Sequence, residues 1–217
     1  MSGGQEATAN HQRERILLAA LTHVPFDGWS KTALAKACED AGLERDAWRG
    51  LFPGGVPDLI AYFHAYTDEK MLAVLAAETL ESMKIRDRIV AGVRVRLELL
   101  GRHREAVRRL CAHFALPQNA AQGLKCLSQT VDAIWRAAGD EATDFSYYTK
   151  RATLAGVYTA TLLYWLDDDS DGFADTFAFL ERRIGDVMEM HKAREKFSRR
   201  FDELAERVGS FFTRPPA

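Results

Sequence analysis

Apolar residues recur at intervals of three and four along nearly all of this 217-residue chain, and nowhere do they alternate over a strand's length. That periodicity leaves one fold class, all-α, because each such helix carries an apolar stripe that must be covered by another helix. Stop signals divide the chain. A helix over about residues 10–23 is followed by the turn Pro25-Phe26-Asp27-Gly28, then by a helix with Ser30 as N-cap that ends at Gly42. A short helix from about Glu44 to Gly50 is closed by Pro53-Gly54-Gly55, and a long one runs from Pro57 to Ser82. Further helices are predicted over about 84–100, 103–115, 119–138, 145–166, 172–191 and 193–212. Gly101, Pro117, Gly139-Asp140 and Asp167–Gly172 fall between them.

Composition excludes several classes. With 47% apolar residues the chain can bury a core, and its three cysteines, with no Cys-x-x-Cys spacing, exclude a disulfide scaffold. The net charge of −2 is a cancellation between blocks. Residues 1–83 carry seven basic and twelve acidic side chains, 84–116 nine and three, 117–191 six and twelve, and 192–217 seven and four. Met1–Gln12 has neither the apolar core of a signal peptide nor the Arg-rich pattern of a transit peptide. The longest uncharged run, Ala152 to Leu166, is shorter than the roughly 20 residues a spanning helix needs.

The stretch from Ile16 to Gly55 has helix-turn-helix proportions. Through its Ala-rich second helix, the Gly42-Leu43 turn and the close at Phe52-Pro53-Gly54, it resembles the N-terminal domain of TetR-family regulators. The resemblance implies a TetR-like architecture in which the remaining helices form a ligand-binding, dimerising body. Charge points away from DNA. Across Ser30–Phe52, Lys31, Lys36, Arg45 and Arg49 are matched by Glu39, Asp40, Glu44 and Asp46, so a docked helix would bring carboxylates to phosphate. No nucleic acid is therefore expected as a partner, and a ligand-responsive repressor is the alternative function.

Residues 134–190 carry a more specific pattern: Ile134-Trp135, Ala138-Gly139-Asp140, Thr143 to Arg151, Leu154, Val157-Tyr158, Thr161, Leu166, Asp169-Ser170, Thr176, Phe179-Leu180 and Arg182-Arg183-Ile184. This combination resembles the lipid-binding accessory proteins of ubiquinone (coenzyme Q) biosynthesis, which have a TetR-like fold without being repressors. The resemblance implies a non-enzymatic protein that holds isoprenoid or phospholipid in an apolar cavity. Such a protein presents a quinone intermediate to the di-iron demethoxyubiquinone hydroxylase at a membrane. It further implies a docking patch at Asp144, Tyr147, Tyr148, Arg151 and Ile134, with Tyr147 standing where the family commonly has Trp. A homodimer is expected, and no cofactor other than the bound lipid. The expected location is the bacterial cytoplasm, peripheral to the inner membrane.

On the helix from Phe145, Tyr148, Arg151, Ala155, Tyr158, Leu162 and Trp165 share one stripe, with Leu154, Val157, Thr161 and Tyr164 beside it. A helix so widely apolar belongs at the centre of the body. Leu154, Val157, Tyr158, Thr161, Leu162 and Trp165 are the candidate cavity lining, although each could equally be ordinary core. In the last helix, Phe197, Phe201, Leu204, Val208 and Phe211 form one narrow apolar face flanked by Phe212. Lys196 and Arg200 lie among the cations opposite, the composition of a helix lying in a membrane interface. Docking on the protein's own body, or across a dimer, is the other way to cover that face. The expected organisation is a helix-turn-helix-like module without DNA-binding charge at 1–55, a helical lipid-binding body at 56–192, and an amphipathic helix and tail at 193–217.

Other patterns fall short of a site. Asp167 to Gly172 resembles the start of an EF-hand, but its twelfth position is Ala178 in place of the bidentate Glu, so a helix-capping loop is expected. Cys38, Cys111 and Cys126 are expected as small buried apolar residues, and no metal site is expected. His64, His103 and His191 lie in helical runs without a carboxylate at ligand spacing, and no catalytic motif occurs. The basic block Lys84–Arg109 reads as a solvated face, or as a patch for acidic headgroups or for the acidic 117–191 block of another protomer.

Overall fold

The computed structural model describes residues 2–78, 80–140, 145–187 and 189. Among them are nine α-helices and no strand. They are α1 (Ser2–Asp27), α2 (Lys31–Asp40), α3 (Trp48–Leu51), α4 (Val56–Ala77), α5 (Ile85–Leu100), α6 (Arg104–Phe114), α7 (Pro117–Ala137), α8 (Phe145–Leu166) and α9 (174–187). The all-α expectation holds, and the differences lie at the boundaries. Helix α1 runs through Pro25 to Asp27, because a proline in the last turn removes only one N–H, and Gly28 then closes the helix with its N–H on Val24 O at 2.9 Å. The stretch expected as a helix at 44–50 is instead a run of tight turns. Ala47, Arg49 and Gly50 each donate to the carbonyl three residues back, and only Trp48–Leu51 is α-helical. Helix α4 stops at Ala77, since Glu78 is extended.

Local chemistry sets the ends that matter. The Ser30 hydroxyl accepts from Ala33 N at 3.2 Å and starts α2. Gly42, at φ +66°, ends it: Leu43 N reaches back to Cys38 O and Gly42 N to Glu39 O, both at 2.9 Å. Asp168, in the loop that mimicked an EF-hand, caps α9 by accepting from Thr176 N and Thr176 Oγ1 at 2.9 and 2.5 Å.

One continuous apolar cluster runs from Ile16 in α1 to Ile184 in α9. Trp29 ties the N-terminal helices to the rest, its ring tilted against Phe63 at 5.6 Å between centroids and its Nε1 donating to Ala106 O at 3.0 Å. Helix α4 packs against α5 and α7, α6 against α1 and α7, and α8 against α5 and α7. Where α5 crosses α7 the approach is close: a Cβ on Gly92 would lie 3.0 Å from Ile134 Cγ2. None of the described helices is long and apolar enough to cross a membrane.

Candidate functional site

Helices α4 to α8 leave between them a cavity of about 420 Å³. Its walls are apolar, from Phe63 on α4, Leu100 on α5, Leu110 and Phe114 on α6, Leu127 on α7 and Leu162 on α8. Leu124, 67% exposed, and the half-exposed Leu163 mark its open side. Gly123 makes room on α7, because a Cβ there would stand 2.8 Å from Phe114 Cγ.

Buried polar side chains join this apolar lining on one side. Arg96 projects from the apolar stripe of α5 and is 1% exposed. Its Nη1 lies 2.9 Å from Asp68 Oδ1, its Nε donates to Tyr158 Oη at 2.9 Å, and its Nη2 lies 3.1 Å from His64 Nδ1. The Thr130 hydroxyl donates to the Asp68 carboxylate at 3.1 Å. Burial, with Arg96 adding to it, lowers the His64 pKa to about 3, so the imidazole is neutral. Burial also raises Asp68 against the pull of Arg96 and Thr130, and raises Tyr158 against the pull of Arg96. Cys111 stands on the same wall, its thiol pushed up by burial.

Of the six cavity candidates, Tyr158 and Leu162 line this space. Leu154, Val157, Thr161 and Trp165 are buried in the core around it, and the Thr161 hydroxyl bonds back to Val157 O at 2.8 Å. Helix α8 is less central than its composition suggested, since Gly156 and Tyr164 are exposed and Thr159 and Leu163 stand at the open side of the cavity. Sequence reasoning missed His64, Asp68, Arg96 and Thr130, and a signal was present. Contrary to the expectation that His64 has no carboxylate at ligand spacing, Asp68 lies one helical turn beyond it, and Arg96 occupies a position that the spacing of Ile89, Val93 and Leu100 assigns to the core.

A second cluster sits where α7 meets α8. The Arg151 guanidinium lies 3.4 Å from the Tyr147 ring centroid and pairs with Asp132 at 2.8 Å and Asp140 at 3.1 Å. Lys150 meets Asp140 at 2.7 Å, and Tyr147 Oη donates to Asp132 at 3.2 Å. Burial alone would raise the Asp140 carboxyl, but Lys150 and Arg151 hold it below its ordinary value. Tyr148, edge-on to Tyr147, is 70% exposed. Asp144 lies outside the described residues. Ile134 does not reach this surface: it is 1% exposed and packs on Gly92, because the stripe of α7 that carries it faces α5. The membrane-contact candidates Lys196, Phe197, Arg200, Phe201, Leu204, Val208, Phe211 and Phe212 also lie outside the described residues.

The basic block is engaged within the chain itself. Arg104 and Arg108 both donate to Leu166 O at the end of α8, Arg108 also pairs with Asp167 at 2.9 Å, and Arg86 donates to Glu181 O at 3.3 Å. These three arginines therefore meet the 117–191 segment of their own chain.

Two family models match. The one described as COQ9 covers residues 120–191, and the one described as the N-terminal domain of ubiquinone biosynthesis protein COQ9 covers residues 10–38. The mitochondrial ubiquinone biosynthesis protein COQ9 of Rattus norvegicus is 36% identical over 193 residues, 84% of this chain and 61% of that one. The Homo sapiens protein of the same name is 35% identical over 205 residues, 89% and 64% of the two chains. The Drosophila melanogaster protein is 32% identical over 190 residues, 86% and 58%. The chain thus spans under two thirds of the length of these relatives. All three are named as mitochondrial proteins, which overturns the expectation of a bacterial protein facing the cytoplasm at the inner membrane. Compartment is set by targeting and not by packing, so composition was a poor guide to it. Among solved structures, the TetR transcriptional regulator of Nitrosomonas europaea superposes with a TM-score of 0.64 at 19% identity, covering 80% of this chain and 95% of that one. That likeness establishes the TetR-like fold.

Proposed function

The chain belongs to the COQ9 family of ubiquinone biosynthesis proteins, and from that premise we propose that it is a non-enzymatic accessory factor of the pathway. It holds an isoprenoid or phospholipid between α4 and α8 and presents a quinone intermediate to the di-iron demethoxyubiquinone hydroxylase. The observation that carries this is the apolar cavity of about 420 Å³, within the range of small-ligand sites and open beside Leu124 and Leu163. Docking is assigned to the α7–α8 junction, where the exposed Tyr148 ring stands on a framework held by Arg151. The membrane is the source of so apolar a ligand, approached through the C-terminal residues, and the protein works as a homodimer.

What weighs against nucleic acid as the partner is the local pairing of the arginines in the second helix-turn-helix element. Arg45 donates to Glu39 at 3.1 Å, and Arg49 lies 3.5 Å from Asp46 and over the Trp48 ring. Each would have to leave a carboxylate to reach phosphate.

Extraction of bound lipid from the purified protein tests the cavity assignment. An isoprenoid or phospholipid is expected to co-purify with the wild type and to be depleted in Leu127→Trp, whose indole fills the space, with the helical circular dichroism spectrum unchanged. Equal lipid content in the two proteins would overturn it.

A further inference from the structure

His64 is bonded in a way that leaves one particular atom free for a ligand. A guanidinium has only N–H donors, so Arg96 Nη2, 3.1 Å from His64 Nδ1, makes that nitrogen the acceptor. The single proton of the neutral ring is then on Nε2. His64 Nε2 is buried and has no hydrogen-bond partner among the described residues. The ring that carries it lines the cavity, 5.9 Å between centroids from Phe114 on the same wall. A buried N–H without an acceptor is costly, which makes its pairing with a bound ligand a source of affinity.

The charge around it is closed. Arg96 is the cation of the lining, and Asp68 compensates its charge at 2.9 Å, with Thr130 on the same carboxylate, although Arg96 Nη1, like His64 Nε2, makes no hydrogen bond among the described residues. Tyr158 Oη already accepts from Arg96 Nε. A carboxylate or phosphate entering here would meet no net positive charge, and the few free N–H donors would not make up for the hydration it loses. An uncharged oxygen would lose little and gain one hydrogen bond.

We propose that this cavity selects an uncharged apolar ligand bearing a carbonyl oxygen, which enters carbonyl first and accepts the Nε2–H of His64 while its hydrocarbon lies along Leu110, Phe114, Leu127 and Leu162. This rests on the cavity being the ligand site, and it adds the chemistry of the ligand's leading end: a ketone or quinone carbonyl, not a carboxylate or phosphate headgroup. His64 is the specificity-determining residue, and Arg96 positions it by fixing the tautomer.

The test uses three probes of one chain length, 2-decanone, decane and decanoate, with headspace gas chromatography reading the free ketone and alkane and calorimetry reading decanoate. His64→Asn keeps an acceptor near the place of Nδ1 for Arg96 and removes the Nε2 donor. Its affinity for 2-decanone is expected to fall about threefold to tenfold, the worth of one net hydrogen bond, while decane binding changes less than twofold. In the wild type at neutral pH, decanoate is expected to bind more weakly than the ketone. The nitrogen resonance of His64 Nε2 gives a readout that needs no variant: 2-decanone shifts it and decane does not. Unchanged ketone affinity in His64→Asn, an Nε2 resonance indifferent to the ketone, or decanoate binding tightest would each overturn the proposal while leaving the cavity assignment standing. Failure of both decane and 2-decanone to bind the wild type would remove the cavity assignment itself.

Discussion

Arg96 Nη1 lies 2.9 Å from Asp68 Oδ1 within the helical body, and the two residues are 1% and 8% exposed. Each charge is tolerable there only because of the other, since the cost of taking an ion out of water is repaid by close pairing and further hydrogen bonds. Asp68→Ala is expected to destabilise the protein by about 3–5 kcal/mol in urea denaturation, because it strands a buried guanidinium. The double variant Asp68→Leu with Arg96→Met should regain much of that loss. A cost below about 1 kcal/mol for Asp68→Ala would mean that water reaches Arg96 freely.

Two glycine substitutions should have opposite signs. Gly156, on the exposed side of α8, has nothing within 4 Å of an added Cβ, so Gly156→Ala should stabilise by up to about 1 kcal/mol through helix propensity. At Gly123 the same methyl group would stand 2.8 Å from the Phe114 ring. Overpacking of about 1–3 kcal/mol then outweighs the propensity gain, and the ring moves at the expense of the cavity. Thermal midpoints check the signs. A higher midpoint for Gly123→Ala than for the wild type would show that Phe114 moves without cost.

For docking, Tyr148 is separable from its supports. Tyr148→Ala removes a ring that is 70% exposed, so the thermal midpoint should hold while capture of the demethoxyubiquinone hydroxylase weakens by about 1–2 kcal/mol or more, as for an aromatic anchor. Arg151→Ala is a different experiment. It takes a paired cation away from Asp132 and Asp140, so it should lower the midpoint as well. Undiminished capture by Tyr148→Ala in a pull-down would overturn the proposed docking at this junction.

Asp168 makes part of the stability depend on acid. Burial alone would raise its carboxyl, yet hydrogen bonds from Ser170 and Thr176 bring its pKa down to about 2, below the ordinary value of roughly 3.9. The folded protein therefore binds this proton less readily than the unfolded chain. The capping contribution is complete above the ordinary carboxylate range and is lost as pH falls towards about 2. Asp168→Ala should cost about 1–2 kcal/mol at pH 7 as a lost cap, and the gap to the wild type should shrink steadily in denaturation curves taken from pH 5 downwards. A gap independent of pH would exclude Asp168 as the group responsible.

Part of this was readable before any coordinates. The Ser30 cap, the Gly42 stop and the Asp167–Gly172 capping loop rest on contacts within a few residues, and local chemistry settles those. The periodicity of 44–50 suits an α-helix, whereas its backbone bonds each span three residues and only Trp48–Leu51 is α-helical. Ile134 and Tyr148 belong to the same motif, and one is core while the other is surface. Nothing in their spacing distinguishes them, since the outcome depends on which face of α7 meets Gly92 of α5.

Legible along the chain were its all-helical character, the Ser30 cap, the Gly42 stop and the Asp167–Gly172 capping loop, the absence of surplus positive charge in the helix-turn-helix element, and the family pattern across residues 134–190. Each of these is a property of neighbours along the chain. Packing between helices brings His64, Arg96, Thr130 and Tyr158 to one cavity with Asp68 behind them, sets Arg108 on Asp167, and leaves four of the six expected lining residues in the core. A buried charge can be recognised from its place on an apolar stripe, but its partners come from other helices, and packing alone brings them within hydrogen-bonding distance.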